Sequence, residues 1–364
     1  MNVTRKLFIW VLITVVLTLG GGELFARYYF GLGTPPLYVA DPKIEYMFKP
    51  DQDIYRFGNH IVINHYGMRS VPFASHSTKN ELRLMAFGDS VLNGGSQTDH
   101  AELATTVLQG RLASITNSKV VVGNISAGSW GPGNWLAYAN EYGFFDADVV
   151  ILVISSHDYA DNPTFESLNP NTYPTEKPLS ALAEGISRYL PRYLPLFASS
   201  ENTNESNHFA KHAAEEETKG LADLSIFLAL ARNSSKQILV FQHWTKEEIE
   251  KSEADPGNER IREICESIGI SPIQLMPYFL QSMQSGANPY RDNIHANQTG
   301  QQLIAEAVLE NLPNDILLPS HLKPLISHGE IMAGGGDRDR RATGGSPTLD
   351  GQEALCIDRQ HHSG

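Results

Sequence analysis

The first apolar run covers residues 7–19 and is extended by Gly20, Gly21 and Gly22. Arg5 and Lys6 precede it, and the first acidic residue, Glu23, follows it. A run of about 16–18 residues is short for a bilayer span and long for the apolar core of a secretory signal. Basic residues ahead of such a run hold the N-terminus in the cytoplasm. Leu24-Phe25-Ala26 offers the wrong residue at position −3 for cleavage, so residues 1–26 read as an uncleaved signal anchor rather than a cleaved signal peptide. Either form exports the rest of the chain. Arg27-Tyr28-Tyr29-Phe30 suits a membrane interface. Residues 27–80 are rich in Gly, Pro, Asn and Tyr, with short strand-like pieces such as 60–64. They predict an irregular lead-in packing on the domain.

From residue 81 the pattern changes. Short continuous apolar runs at 83–87, 119–123, 148–154 and 237–241, with a weaker one at 271–275, suit strands buried on both faces. Helix-period patterns fill the intervals at 102–115, 134–144, 221–231, 258–268 and 299–309. This alternation predicts an α/β fold: a flavodoxin-like, doubly wound, five-stranded parallel sheet over 81–312, preceded by the anchor. The interval 160–220 is too long for a plain connection. It carries the tandem Arg188-Tyr189-Leu190-Pro191 and Arg192-Tyr193-Leu194-Pro195, then a polar stretch over 199–219. It predicts a lid or cap with a mobile portion. Residues 313–332 form a C-terminal extension. Residues 333–364, rich in Gly, Arg, Asp and Ser without apolar periodicity, predict a disordered tail.

Composition narrows the function. The 364 residues are 41% hydrophobic, enough for a full core, and carry a formal net charge of −13. The folded region has no basic patch, which argues against nucleic acid. The two cysteines, Cys265 and Cys356, have no zinc-type spacing and read as unrelated thiols.

Two short motifs carry chemistry. Phe87-Gly88-Asp89-Ser90, followed by Gly94, leaves the first buried strand directly. In a doubly wound sheet, ligands bind at the carboxyl ends of the strands. A serine there, on a turn that Gly88 permits, projects its hydroxyl into the crevice. Its own N–H, at a helix start, can face an oxyanion. Taken alone, Gly-Asp-Ser is also an ordinary N-cap. The second motif is Asp292-Asn293-Ile294-His295, just before the last helix. A serine hydroxyl needs a base, and an imidazole supplies one near neutral pH. Asp292 can hold its tautomer.

The pair of motifs resembles those of the SGNH/GDSL hydrolase superfamily, over roughly residues 81–312. The resemblance implies Ser90 as nucleophile, His295 as general base and Asp292 as its orienting partner. It places the oxyanion glycine at Gly128, within Asn124-Ile125-Ser126-Ala127-Gly128-Ser129-Trp130-Gly131. The family's third block is Gly-x-Asn-Asp. Here it reads Ser155-Ser156-His157-Asp158, so His157 stands where the oxyanion-binding asparagine is usual. Asp158, His243 and Trp244, at neighbouring strand ends, are candidates for lining the pocket. The spacing of His157, Asp158 and His243 is unspecific for a metal, so neither a metal nor another cofactor is expected.

These residues point to an exported, membrane-anchored serine esterase acting on acyl, above all acetyl, esters. Its partners would be an acylated carbohydrate or other ester, the inner membrane through the N-terminal helix, and polysaccharide synthesis or export proteins. The same triad also serves a polysaccharide O-acetyltransferase. A catalytically silent sugar-binding or scaffold protein of an export complex is the rival from another class, motivated by the altered third block and the long insertion.

Overall fold

The computed structural model describes residues 3–116, 118–190 and 209–317. Its first element, α1 (Val3–Tyr29), has a mean hydropathy of 2.0 in its most apolar window, and none of that window is buried. It is long and apolar enough to cross a membrane. The lead-in is more regular than its composition suggested. Two antiparallel hairpins occupy it: β1 (Tyr38–Asp41) with β2 (Glu45–Phe48), and β3 (Gln52–Arg56) with β4 (Asn59–Ile63). The turn joining β3 and β4 is Phe57-Gly58, with both residues at positive φ, as a two-residue hairpin requires.

The core then alternates as the apolar runs predict. β5 (Glu81–Gly88) leads through α2 (Ser90–Asn93) and α3 (Ala104–Thr116) to β6 (Lys119–Ser126). Next come α4 (Pro132–Tyr142), β7 (Val149–Ser155), the short α5 (Ala181–Glu184) and the long α6 (Phe209–Ser234). The chain continues with β8 (Gln237–His243), α7 (Lys246–Lys251), α8 (Pro256–Ser267), β9 (Ile273–Gln274), α9 (Met276–Gln284), α10 (Gln298–Asn311) and α11 (Asn314–Leu317). The sheet order is β6-β5-β7-β8-β9, all parallel. That is the flavodoxin-like order. Alternate residues of β5 serve opposite layers: Met85 and Phe87 pack against Trp135, Tyr138 and Phe227, while Leu84 and Ala86 pack with Leu108, Leu112 and Ile304. Burial on both faces is why these strands read as unbroken apolar runs.

One end of the sheet is fixed by charge. Arg83 and Glu81 form a wholly buried ion pair, and Arg83 also donates to the carbonyl oxygens of Phe145 (2.7 Å), His76 (3.0 Å) and Ser75 (3.1 Å). Cys265 is free and buried among the apolar residues of α6 and α8, and burial pushes its thiol up to about 12. Cys356, the tail at 333–364, most of the C-terminal extension, and the second Tyr-Leu-Pro repeat lie outside the described residues.

The lid expected over 160–220 falls partly on 191–208, which lie outside the described residues. The insertion's first part, 160–190, runs along the lead-in and the end of α1. Thr164 and Phe165 bond to Glu45, and the Tyr38 amide donates to the Pro174 carbonyl at 2.8 Å. Its other end is helical from Phe209, so α6 begins well before the predicted residue 221. Helix α6 and two other elements press closely on the turn after β7. A Cβ on Gly220 would lie 1.8 Å from the Tyr159 carbonyl oxygen, one on Gly257 1.7 Å from that of Ser156, and one on Gly131 1.9 Å from that of Asp161. No rigid backbone tolerates such contacts, so alanine at any of these positions must move the turn. Gly257→Ala should therefore destabilise the domain by about 1–3 kcal/mol, the range for overpacking. Thermal melting of the full chain in detergent checks this; an unchanged Tm would show that the turn yields freely.

Candidate active site

The parallel register pairs Gly88 of β5 with Ser126 of β6, and Ser155 of β7 with His243 of β8. Ser90 and Gly128 therefore each emerge two residues past paired strand ends, side by side at the carboxyl edge. The Gly88 turn is tight: a Cβ there would stand 2.9 Å from that of Leu92 and 3.1 Å from the Val153 carbonyl oxygen. Asp89 caps α2 by accepting from the Val91 amide at 2.9 Å, which turns the chain so that Ser90 opens the helix.

Across the crevice, the loop before α10 brings the second motif to meet it. Ser90 Oγ lies 2.9 Å from His295 Nε2, and His295 Nδ1 lies 2.8 Å from Asp292 Oδ2. With Nδ1–H donating to Asp292, Nε2 is the acceptor facing the hydroxyl. Asp292 is itself held by the amides of Ile294 (2.9 Å) and His295 (2.8 Å). Partial burial would raise its pKa, but those amides and the imidazole outweigh burial and hold it below the usual carboxylate range. It stays ionised where an imidazolium would need it.

Among the described residues, the amides of Ser90 and Gly128 donate to no protein acceptor. The Gly128 carbonyl accepts from the Tyr46 hydroxyl at 2.6 Å and the Tyr173 hydroxyl at 3.4 Å. One phenol comes from the lead-in and one from the insertion, so both extra segments fix this loop. The loop after α2 is braced from the lead-in too: the buried guanidinium of Arg69 donates to the Asn93 carbonyl at 2.7 Å and to the carbonyls of Gly95 and Thr98. Buried Gln301 of α10 joins the halves, donating to the Val91 carbonyl at 2.7 Å and accepting from the Ala104 amide at 2.9 Å. Isolated polar residues of this kind carry no motif, and sequence reasoning passed over Tyr46, Arg69, Tyr173 and Gln301 alike.

The third block lies at the end of β7. His157 is 43% exposed at its side chain, with Nε2 3.4 Å from Asp158 Oδ1. Asp158 is not a lining residue as expected; it is fully buried, and its Oδ2 accepts from the Ser155 amide at 2.6 Å. His243 is also fully buried, beneath the catalytic loop, donating from Nε2 to the Ile294 carbonyl at 2.8 Å. Trp244 packs partly into the core and donates to Gln274 at 2.9 Å. Asp158 and His243 are thus packed beneath the strand ends, and Trp244 only partly so. The clefts beside the triad are lined from other loops. One of about 520 Å³ lies against Ser156, His157, Thr245, Asn293 and Ile294. Another of about 530 Å³ lies against Lys246, Glu247, Arg291, Asp292 and Asn293.

Asp89 joins His157 and Asp158, in place of His243, with ligand-type atoms all within 4.8 Å of one another. Asp158 Oδ1 has no donor among the described residues. Burial first, then the charge of Asp89, pushes Asp158 well above the usual carboxylate range. A proton on Asp158 satisfies Oδ1 and removes the repulsion between two buried carboxylates.

No family model matches this chain, and no curated protein does. Among solved structures it is similar to a catalytic mutant of an acetylxylan esterase from Geobacillus stearothermophilus, at 13% identity and a TM-score of 0.41, over 63% of this chain and 93% of that one. An α/β hydrolase from the metagenome of Lake Arreo, Spain, has 17% identity and a TM-score of 0.39, over 63% and 94%. A lipolytic protein of the G-D-S-L family from Veillonella parvula has 14% identity and a TM-score of 0.37, over 64% and 98%. Scores at this level carry no argument about activity. The strand order, read from this chain itself, is the one the SGNH/GDSL resemblance implied.

Asp161, near this cluster, gives a pH test. Burial pushes its carboxyl up to about 6, with His157 opposing the rise and Asp89 adding to it. A carboxyl raised on folding leaves the fold most stable while it is protonated, and stability is lost as pH rises through the folded pKa. Between about pH 4 and pH 6.5 the wild-type Tm should fall relative to that of Asp161→Asn, which cannot ionise. Parallel melting curves would remove Asp161 as the source of the loss.

Proposed function

We propose that the protein is a serine esterase of the SGNH type, anchored by α1 with its domain outside the cytoplasm. The observation that carries this reading is the unbroken hydrogen-bond chain Ser90–His295–Asp292 at the carboxyl edge of the sheet. Ser90 Oγ attacks the acyl carbon while His295 Nε2 takes its proton. The oxyanion is held by the free amides of Ser90 and Gly128, with His157 as third donor through Nδ1–H. Collapse of this intermediate expels the alcohol, protonated by His295, and leaves an acyl-Ser90 ester. Water, deprotonated by His295, attacks that ester; the acid leaves and the proton returns to Ser90.

The substrate we assign is a small acyl ester, acetyl above all, of an exported or cell-surface carbohydrate. The polar clefts flanking the triad and the placement beside a membrane favour it over an apolar lipid ester. If a sugar hydroxyl replaces water in the second step, the same triad makes an O-acetyltransferase. Product analysis separates the two, since free acetate with no acetylated acceptor excludes transfer.

The test uses the full chain in detergent with p-nitrophenyl acetate. Ser90→Ala and His295→Ala should each lower kcat by about a thousand-fold or more. Fluorophosphonate labelling should vanish with Ser90. An inactive, unlabelled wild type would instead favour a silent scaffold. His157→Ala should lower kcat by about a hundred-fold with little change in KM, as loss of one oxyanion donor does. Unchanged kcat would reassign His157 to holding Asp158.

A further inference from the structure

Helix α1 meets the domain through a charged joint. Glu23 accepts from Ser180 Oγ (2.8 Å) and from the amides of Ala181 (2.9 Å) and Leu182 (2.8 Å), and pairs with Arg27 at 2.7 Å. Ala26, Leu32 and Ala181 form a small buried cluster there. The helical segment 181–190 is thereby fixed level with the last apolar residues of α1; the Leu182 methyls lie 3.6 and 3.8 Å from where a Gly22 Cβ would stand.

This segment has its faces reversed relative to a helix on a soluble surface. Its polar side is inside. The Glu184 side chain is 5% exposed and pairs with Arg56 at 1%, and Glu184 also accepts from the Gly33 amide at 2.6 Å. Arg56 donates to the Tyr189 hydroxyl at 2.7 Å. Its outer side is apolar: Ile186 is 54% exposed and Leu190 42%, continuing the four-residue spacing from Leu182, and Leu179 just before is 103% exposed. A helix facing water places these groups the other way round. Beside it, Phe25, Tyr28 and Tyr29 are 56%, 81% and 68% exposed, and the Phe25 and Tyr29 rings stack at 4.9 Å. Aromatic rings at that position suit the headgroup level.

We propose that the segment 179–190 is a second membrane contact, its face of Leu179, Leu182, Ile186 and Leu190 dipping into the interface of the leaflet where α1 emerges. The occupant is lipid, because this face continues the uncovered apolar surface of α1 and its polar side is already spent on Arg56 and Gly33. The inference rests on α1 spanning a bilayer. It makes the anchor a rigid mount: the domain is held at two points and cannot swing on a tether.

The test places single cysteines carrying an environment-sensitive dye at Leu179 and Ile186, in a Cys356→Ser background, with Leu12 and Glu253 as reference positions. The full chain is reconstituted in phosphatidylethanolamine–phosphatidylglycerol vesicles holding nitroxide lipids. Dyes at 179 and 186 should shift to the blue and be quenched by shallow nitroxides, the dye at 12 by deep ones, and the dye at 253 by neither. Quenching at 12 without quenching at 179 and 186 overturns the second contact and leaves the anchor standing. Absence of quenching at 12 overturns the anchor as well. Energy transfer between copies labelled at 186, in place of lipid quenching, would assign the face to a second copy of this chain and overturn the proposal.

Discussion

The parallel pairing of β5 with β6 and β7 fixes where every reactive group of this protein stands. Strands buried on both faces cannot slip by one residue without exchanging their layers, so the register is strongly specified. Because the strands run the same way, the Ser90 turn, the Gly128 loop and the His157 turn all leave the sheet at one edge. The His295 loop needs only to be delivered to that edge, and α10 does so through Gln301, which binds the start of α2.

The electrostatics beneath the site follow from the same geometry. Close strand ends gather Asp89, Asp158 and Asp161 where water is scarce. Burial makes charge costly there, so two of these carboxyls are pushed towards neutrality, while Asp292, on a half-exposed loop with two amides aimed at it, is held ionised. Carboxyls at the strand ends and the carboxylate on the His295 loop are thus shifted in opposite directions. The environment sets the direction.

The segments outside the sheet are structural parts of the site and of its mounting. Arg69 and Tyr46 of the lead-in and Tyr173 of the insertion brace the loops carrying Ser90 and Gly128. The insertion holds α1 through Glu23, and the Arg56–Glu184 pair holds the residues just past it, Gly31 and Gly33. Helix α1 with the residues just past it, and the Gly128 loop, are therefore both hydrogen-bonded to the lead-in and the insertion.

Much of this was legible in the chain. Apolar runs at 83–87, 119–123, 148–154 and 237–241 set four strands, since burial on both faces leaves no other pattern. The Gly-Asp-Ser and Asp-x-x-His motifs pointed to Ser90, His295 and Asp292, which stand in one hydrogen-bonded row, because each motif is local to a turn or a loop. The run ahead of Glu23 marked α1 by length and composition. Only the tertiary structure decided the rest. The lead-in's hairpin strands are only four or five residues long, too short to show a period among the Gly, Pro and Asn around them. Asp158 and His243 were placed near the pocket by sequence, yet the turn after β7, where Asp158 accepts from the Ser155 amide, and the packing of the 290–296 loop over His243 put both inside. The insertion reads as a lid from its length and its Tyr-Leu-Pro repeat, neither of which says where its first part packs. Its place at the foot of α1 depends on Glu23 and Glu184 meeting partners 157–159 and 128–151 residues away, and a separation of that kind has no signature along the chain.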